Sequence, residues 1–240
     1  MELYLIRHGQ STNNVTMLRD PLHREADPPL TELGQRQAEA LAGRLAHTWN
    51  VDNYLFQHPD SRENLTGEGI TRLLVSPMKR ALQTALPISR ELDLHPEVHL
   101  DIYEHGGLYL EGESGVTTYP GLTRAEMHAQ FPNYQLPPGM TESGWWHATD
   151  REDLAACQGR AIRMAEHLKE IRFSAQRIAI VSHGMFLDHL FKALLNLLPG
   201  DGLHLTLYNT SITRIDFLPD GKLGLRYLNR FDHLALEQVS

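Results

Sequence analysis

Apolar residues fall along this chain in two rhythms. Short unbroken runs, Leu3–Ile6, Leu73–Val75 and Ile178–Val181, are too brief for a globular helix and suit strands buried on both faces. Elsewhere apolar residues recur at three- and four-residue spacing. Leu33, Ala38, Leu41, Ala42, Leu45 and Trp49 form one such set, and Met78, Ala81, Leu82, Ala85, Ile88 and Leu92 a second. Leu154, Ala161, Ile162, Ala165 and Leu168 form a third, and Phe186, Leu187, Leu190, Phe191, Leu194 and Leu195 a fourth. Each set predicts an amphipathic helix with one face on a core. Thr31 suits the N-cap of the first. Ser76-Pro77 suits the N-cap and first helical position of the second, and Pro87 inside it predicts a kink. The third is expected from Asp150 to about Ile171.

Pro96–Leu100 reads as a weaker strand. Ile212–Phe217 and Leu223–Asn229 read as two terminal strands joined at Pro219-Asp220-Gly221. Strands alternating with helices predict an α/β fold, three-layer α/β/α with a mostly parallel central sheet. The terminal pair must run antiparallel across its tight turn, so the sheet is mixed. One domain over 1–240 accommodates all of this. Three stretches break the rhythm: the polar connection Asp20–Pro29, a surface excursion at about 50–70, and a glycine- and proline-rich insertion at about 105–150. Within the insertion only Thr123–Phe131 suggests a helix, and its length marks a lid or binding loop.

Composition narrows the choices. No apolar run approaches the roughly 20 residues that span a bilayer, and a strand beginning beside Met1 leaves no room for a cleaved leader. Cys157 is the only cysteine, which suits a reducing cytoplasm. The net charge of −8 argues against a nucleic-acid or anionic-membrane partner. It leaves room for a locally positive pocket and an anionic small-molecule substrate, and leaves a homodimer open. No His-x-x-x-His pair with a general base, and no cysteine cluster, marks a metal site.

The candidate chemistry sits where strands stop. Arg7-His8-Gly9, Ser76-Pro77-Met78-Lys79-Arg80, Tyr103-Glu104-His105-Gly106-Gly107 and Ser182-His183-Gly184 each follow an apolar run. In an open α/β sheet such ends converge on one edge. Two arginines, two histidines and one carboxyl would meet there, with two helix N-termini aimed at them. That combination suits a phosphoryl group and the negative charge it spreads in the transition state.

These residues resemble the histidine phosphatase, or phosphoglycerate mutase-like, superfamily. The resemblance rests on Leu5-Ile6-Arg7-His8-Gly9-x-Ser11-x-x-Asn14, Leu30-Thr31-x-x-Gly34-x-x-Gln37-Ala38, Ser76-Pro77-x-x-Arg80-Ala81-x-Gln83-Thr84-Ala85 and Ser182-His183-Gly184. It runs from residue 1 to about Ile212. Ser-His-Gly at the second histidine, and no Arg-x-Pro after Gly9, place it with the mutase and small-phosphatase branch rather than the acid phosphatases and phytases.

The resemblance implies roles. His8 would attack phosphorus, Arg7, Arg80 and His183 would hold the phosphoryl oxygens, and Asn14 would add a neutral donor. Glu104 would move the proton of the leaving oxygen and of the attacking water. No metal or cofactor is implied. Ser11, His105, Gly106 and His147 are candidates for contact with the rest of the substrate. Trp145, Trp146, His128 and Arg151 in the insertion would either join them or pack a lid.

The expected activity is hydrolysis of a small soluble phosphomonoester through a phosphohistidine. A cofactor-dependent phosphoglycerate mutase is the alternative. Its family places Arg-His-Tyr-Gly after the acid and an Arg pair in the insertion, and here Glu104 is followed by His105-Gly106-Gly107-Leu108 with no adjacent Arg-Arg in 111–150. A non-catalytic phosphate- or phosphopeptide-binding module would carry a damaged His8, Glu104 or His183, and none is damaged.

Overall fold

The computed structural model describes residues 1–19, 24–47, 67–174, 176–198 and 202–240. Its elements are β1 (Glu2–Arg7), α1 (Thr12–Arg19), α2 (Glu32–His47), β2 (Arg72–Val75), α3 (Lys79–Leu92) and β3 (Glu97–Val98). A hairpin of β4 (Tyr109–Gly112) and β5 (Gly115–Thr118) follows, then α4 (Arg124–Gln130), α5 (Leu154–Glu170) and β6 (Arg177–Ser182). The chain closes with α6 (Gly184–Leu194), β7 (Ile212–Phe217) and β8 (Leu223–Arg230).

The main sheet has the order β3-β2-β6-β1-β7-β8. β3, β2, β6 and β1 are parallel, and β7 is antiparallel to both its neighbours. The expected mixed, mostly parallel sheet is therefore observed. Alternation along β1 builds its two faces. Leu3 and Leu5 join Ala161, Leu168, Phe186 and Leu190 on one side, with helices α5 and α6. Tyr4 and Ile6 join Leu41, Leu45, Leu82 and Ile88 on the other, with α2 and α3. Burying each large aliphatic side chain contributes about 1.5–3 kcal/mol, and β1 contributes to both cores at once.

Several boundaries differ from the sequence reading, each for a local reason. Ser76 does not cap α3. Its hydroxyl lies 2.7 Å from His183 Nε2, and the Lys79 N–H donates instead to Asp27 Oδ1 at 3.0 Å. Helix α5 starts at Leu154 rather than Asp150, because Asp153 accepts from the Ala156 N–H at 2.7 Å and fixes the N-terminus there. The weak third strand shrinks to Glu97–Val98. The insertion contains a two-stranded hairpin, β4–β5, that its glycines obscure. Trp49, His23, His58 and residues 51–66 lie outside the described residues.

The insertion packs onto the sheet end rather than hanging free. Trp145 and Trp146 are buried, with ring centroids 5.9 Å apart, and Tyr103 meets Trp146 edge-on at 4.9 Å. Both tryptophans thus pack beside the segment that carries Glu104. Among the described residues, no helix is long and apolar enough to cross a membrane.

Candidate active site

Parallel pairing sets the site's geometry. Arg7 is level with Ser182 and Val75 with Val181, so His8, His183 and Ser76 emerge side by side from three adjacent strands. The His8 N–H donates to the Ser182 carbonyl at 2.9 Å, and the two histidine rings lie 5.0 Å apart at 58°. Gly9 passes hard against α2: a Cβ on it would stand 2.6 Å from the Gly34 carbonyl oxygen. The glycines at 9 and 34 are needed for this approach of backbone to backbone.

The tautomer of His8 follows from its partners. Nδ1 lies 2.7 Å from the Gly9 carbonyl oxygen, which can only accept, so Nδ1 carries the proton. Nε2 is then unprotonated and accepts from Arg80 Nε at 3.0 Å. Burial holds the His8 pKa well below the usual imidazole value, and the charges of Arg80 and Arg7 push it the same way. The ring is neutral, with its Nε2 lone pair turned toward a guanidinium. His183 is also held neutral, by burial first and by Arg80 second. Its Nδ1 has no hydrogen-bond partner.

Glu104 is fixed from below. Oε1 accepts from the His105 N–H at 2.9 Å and the Phe186 N–H at 3.1 Å, and Oε2 lies 3.3 Å from the Met185 amide. The last two amides belong to the first turn of α6. Arg7 donates through Nη1 to the Leu207 carbonyl, and its buried Nε has no partner. Burial lowers the pKa of both Arg7 and Arg80. Glu104 opposes this shift at Arg7, and Asp27 and Glu104 oppose it at Arg80, without a salt bridge to either arginine among the described residues.

These groups surround a cavity of about 140 Å³. Arg7, His8, Ser11, Asn14, Arg80, Glu104 and His105 all line it, and His183 lies fully buried next to His8. Asn14 Oδ1 accepts from the Ser11 N–H at 2.9 Å and the Ser11 hydroxyl at 3.0 Å, leaving Nδ2 as its free donor. Gly106 is not on the lining, where its neighbour Gly107 is, and His147 is exposed and outside it. Asn13 and Arg24 line the cavity and were not foreseen as site residues. Nothing local marks Arg24, because its place depends on how an aperiodic segment folds back. Asn13 had a signal in its place one residue before Asn14. Among the described residues, no group of three or more His, Cys, Asp or Glu is placed to hold a metal ion.

Fold and site together define a class: an α/β protein with a cationic, histidine-based anion pocket at the carboxyl edge of its sheet. Its family is shown by a match to the histidine phosphatase superfamily (branch 1) over residues 3–56 and 57–230, and the chain belongs to that superfamily. It is 25% identical over 224 residues to a Photorhabdus laumondii protein named "Probable phosphoglycerate mutase GpmB", covering 90% of this chain and 85% of that one. Among solved structures it is similar to phosphoserine phosphatase from Entamoeba histolytica in complex with phosphoserine, with a TM-score of 0.59, 21% identity and coverage of 98% and 99%. It is also similar to mycobacterial glucosyl-3-phosphoglycerate phosphatase, with a TM-score of 0.55, 22% identity and coverage of 95% and 98%.

Proposed function

We propose that this protein hydrolyses a small phosphomonoester through a phosphohistidine on His8. The observation that carries the reading is the state of His8: proton on Nδ1, lone pair on Nε2, held at the floor of a cavity lined by three arginines and Glu104. In the first step Nε2 attacks phosphorus, the N–P bond forms and the ester P–O bond breaks. Glu104 gives its proton to the departing oxygen. Arg7, Arg80, His183 and Asn14 hold the other phosphoryl oxygens, with Arg80 exchanging its bond to Nε2 for one to the substrate. In the second step Glu104 takes a proton from water, whose oxygen displaces the histidine and releases phosphate.

Glu104→Gln tests the proton role. It is expected to lower kcat by about 10²–10⁴-fold, with less loss for p-nitrophenyl phosphate, whose leaving group needs no proton. An equal loss on all esters removes Glu104 from that role. Rapid quenching of a radioactive ester reaction into alkaline detergent is expected to give a base-stable, acid-labile phosphoprotein in the wild type and none in His8→Ala.

The second reading is a phosphoglycerate mutase, favoured by the name of the Photorhabdus relative. Against it stands Glu104-His105-Gly106-Gly107, which supplies neither the Arg nor the Tyr of the mutase run. Phosphorus NMR with 3-phosphoglycerate and a trace of 2,3-bisphosphoglycerate separates the two. Growth of inorganic phosphate supports hydrolysis, and 2-phosphoglycerate without inorganic phosphate establishes the mutase.

A further inference from the structure

The cavity holds a third arginine that phosphoryl transfer does not use. Arg24 lines it together with Arg7 and Arg80. Its guanidinium carbon lies over the Tyr109 ring, 4.5 Å from the centroid, and its Nε is buried with no hydrogen-bond partner.

The arrangement is built from both sides. Asn13 clasps the neighbouring residue, with Nδ2 donating to the Glu25 carbonyl at 2.7 Å and Oδ1 accepting the Glu25 N–H at 2.8 Å. Tyr109 is seated where a Cβ on Gly106 would stand 2.5 Å from its ring, at a glycine with φ of +91°. A cation laid on a tyrosine face keeps its in-plane N–H donors free for a second partner.

The nearby carboxylates are otherwise engaged. The Thr12 hydroxyl donates to Glu25 Oε1 at 2.6 Å, the Lys79 N–H donates to Asp27, and Glu104 holds the α6 amides. Glu111 pairs with Arg151 at 3.2 Å. Among the described residues none of them pairs with Arg24. Its charge disfavours protonated Arg80, whereas the charges that bear on His8 are those of Arg80 and Arg7. Arg24 thus shares the cavity with His8 while Arg7 and Arg80 are the arginines whose charges act on His8. The cavity, about 140 Å³, admits only a compact ester.

We propose that Arg24 binds a second anionic group of the substrate, so that the physiological ester is a compact molecule carrying a carboxylate or second phosphate a few bonds from the scissile phosphate. This rests on the phosphomonoesterase reading of the same cavity. Arg24 acts in selectivity, through ground-state and transition-state binding alike.

The test is calorimetric titration of His8→Ala, which cannot turn substrate over, with His8→Asn as the substitute if that variant folds poorly. The probes are O-phosphoserine against O-phosphoethanolamine, which differ by one carboxylate. Glycerol 1-phosphate against glycerol 1,3-bisphosphate extends the comparison to a second phosphate. At least one doubly anionic member is expected to bind tenfold or more tighter than its partner. Adding Arg24→Gln is expected to bring that ratio within about twofold, and Arg24→Lys to restore part of it. Equal binding within both pairs overturns the inference. So does a ratio that survives Arg24→Gln, or an equal loss for both members, which would make Arg24 a ligand of the phosphoryl group itself. Which pair discriminates separates carboxylate from phosphate. Wild-type hydrolysis of p-nitrophenyl phosphate, lost in His8→Ala, tests the underlying reading on its own, because the titrations need no turnover.

Discussion

The two ends of the central sheet treat buried arginines in opposite ways. At the amino end of β1, guanidinium groups are matched. Arg214 pairs with Asp216 at 2.8 Å and Glu2 at 3.2 Å, Arg44 with Glu68 at 2.9 Å, Arg177 with Glu2 at 3.1 Å, and Arg226 with Asp216 at 2.6 Å. At the carboxyl end Arg7, Arg24 and Arg80 face a cavity, and the two carboxylates that bear on Arg80, Asp27 and Glu104, accept from backbone amides rather than forming ion pairs among the described residues. A cation buried with its counter-ion is finished chemistry and serves the fold. A cation buried without one is costly until an anion arrives. The contrast, more than the presence of arginine, marks where a ligand belongs.

Substitutions at the two ends should therefore fail differently. The largest effect is expected from His8→Ala, which should lower kcat/KM for a phosphomonoester by about 10⁴-fold or more while leaving the urea midpoint close to wild type. A variant with substantial activity would break the assignment of the carboxyl end. At the amino end, Glu68→Gln removes the carboxylate that Arg44 contacts and that the Tyr4 hydroxyl reaches at 3.2 Å. It should cost about 3–5 kcal/mol of stability by urea denaturation, with kcat of the folded enzyme unchanged.

Third in size is ligand linkage. Orthovanadate at 100 times its Kd should add about 2.7 kcal/mol. For a chain of this size that raises Tm by roughly 5–10 °C, and the shift should persist in Glu68→Gln and disappear in Arg80→Ala. A shift that survives Arg80→Ala would place the anion elsewhere.

The smallest increment, about 1.4 kcal/mol per group and pH unit, is in the pH dependence. The folded pKa values of His8 and His183 lie well below 6.5, so as pH falls below 6.5 the unfolded chain takes up protons that the fold refuses. Each imidazole should then remove about 1.4 kcal/mol per pH unit until its folded pKa is reached. Asp27, pushed up to about 6 by burial, works in the other direction. Between its unfolded value of 3.8 and about 6 the folded carboxyl keeps a proton that the unfolded chain has lost, so its contribution falls as pH rises. Urea midpoints from pH 7.5 to 4.5 should therefore fall less steeply in His8→Asn and more steeply in Asp27→Asn.

How much of this was readable in advance depended on range. The strands Arg177–Ser182 and Ile212–Phe217 and the strand-end motifs were legible, because buried parallel strands leave continuous apolar runs and the site grows directly from their ends. Ser76 sits two residues before the cap at Met78: its hydroxyl accepts the Met78 N–H at 3.3 Å and also faces His183 Nε2, a partner more than 100 positions away that no local pattern shows. The hairpin at Tyr109–Thr118 had a two-residue turn, Glu113-Ser114, between glycines, and the surrounding glycines and prolines hid it. Trp145 and Trp146 could have faced substrate or core, and only tertiary contact with Tyr103 decides it. Arg24 and Asp27 owe their positions to the clasp by Asn13 and to the amide of Lys79, partners that no local pattern announces.

The central position of β1 also has a consequence for biosynthesis. The strand that leads into His8 is made long before its two sheet neighbours, which begin at Arg177 and Ile212. At about 5–20 residues per second, translation leaves Leu3–Ile6 without sheet partners for roughly ten to forty seconds. During that time the apolar run is available to chaperones or to neighbouring nascent chains, and no reactive imidazole is yet assembled. His8 has no pocket around it until β6 and β7 have been made.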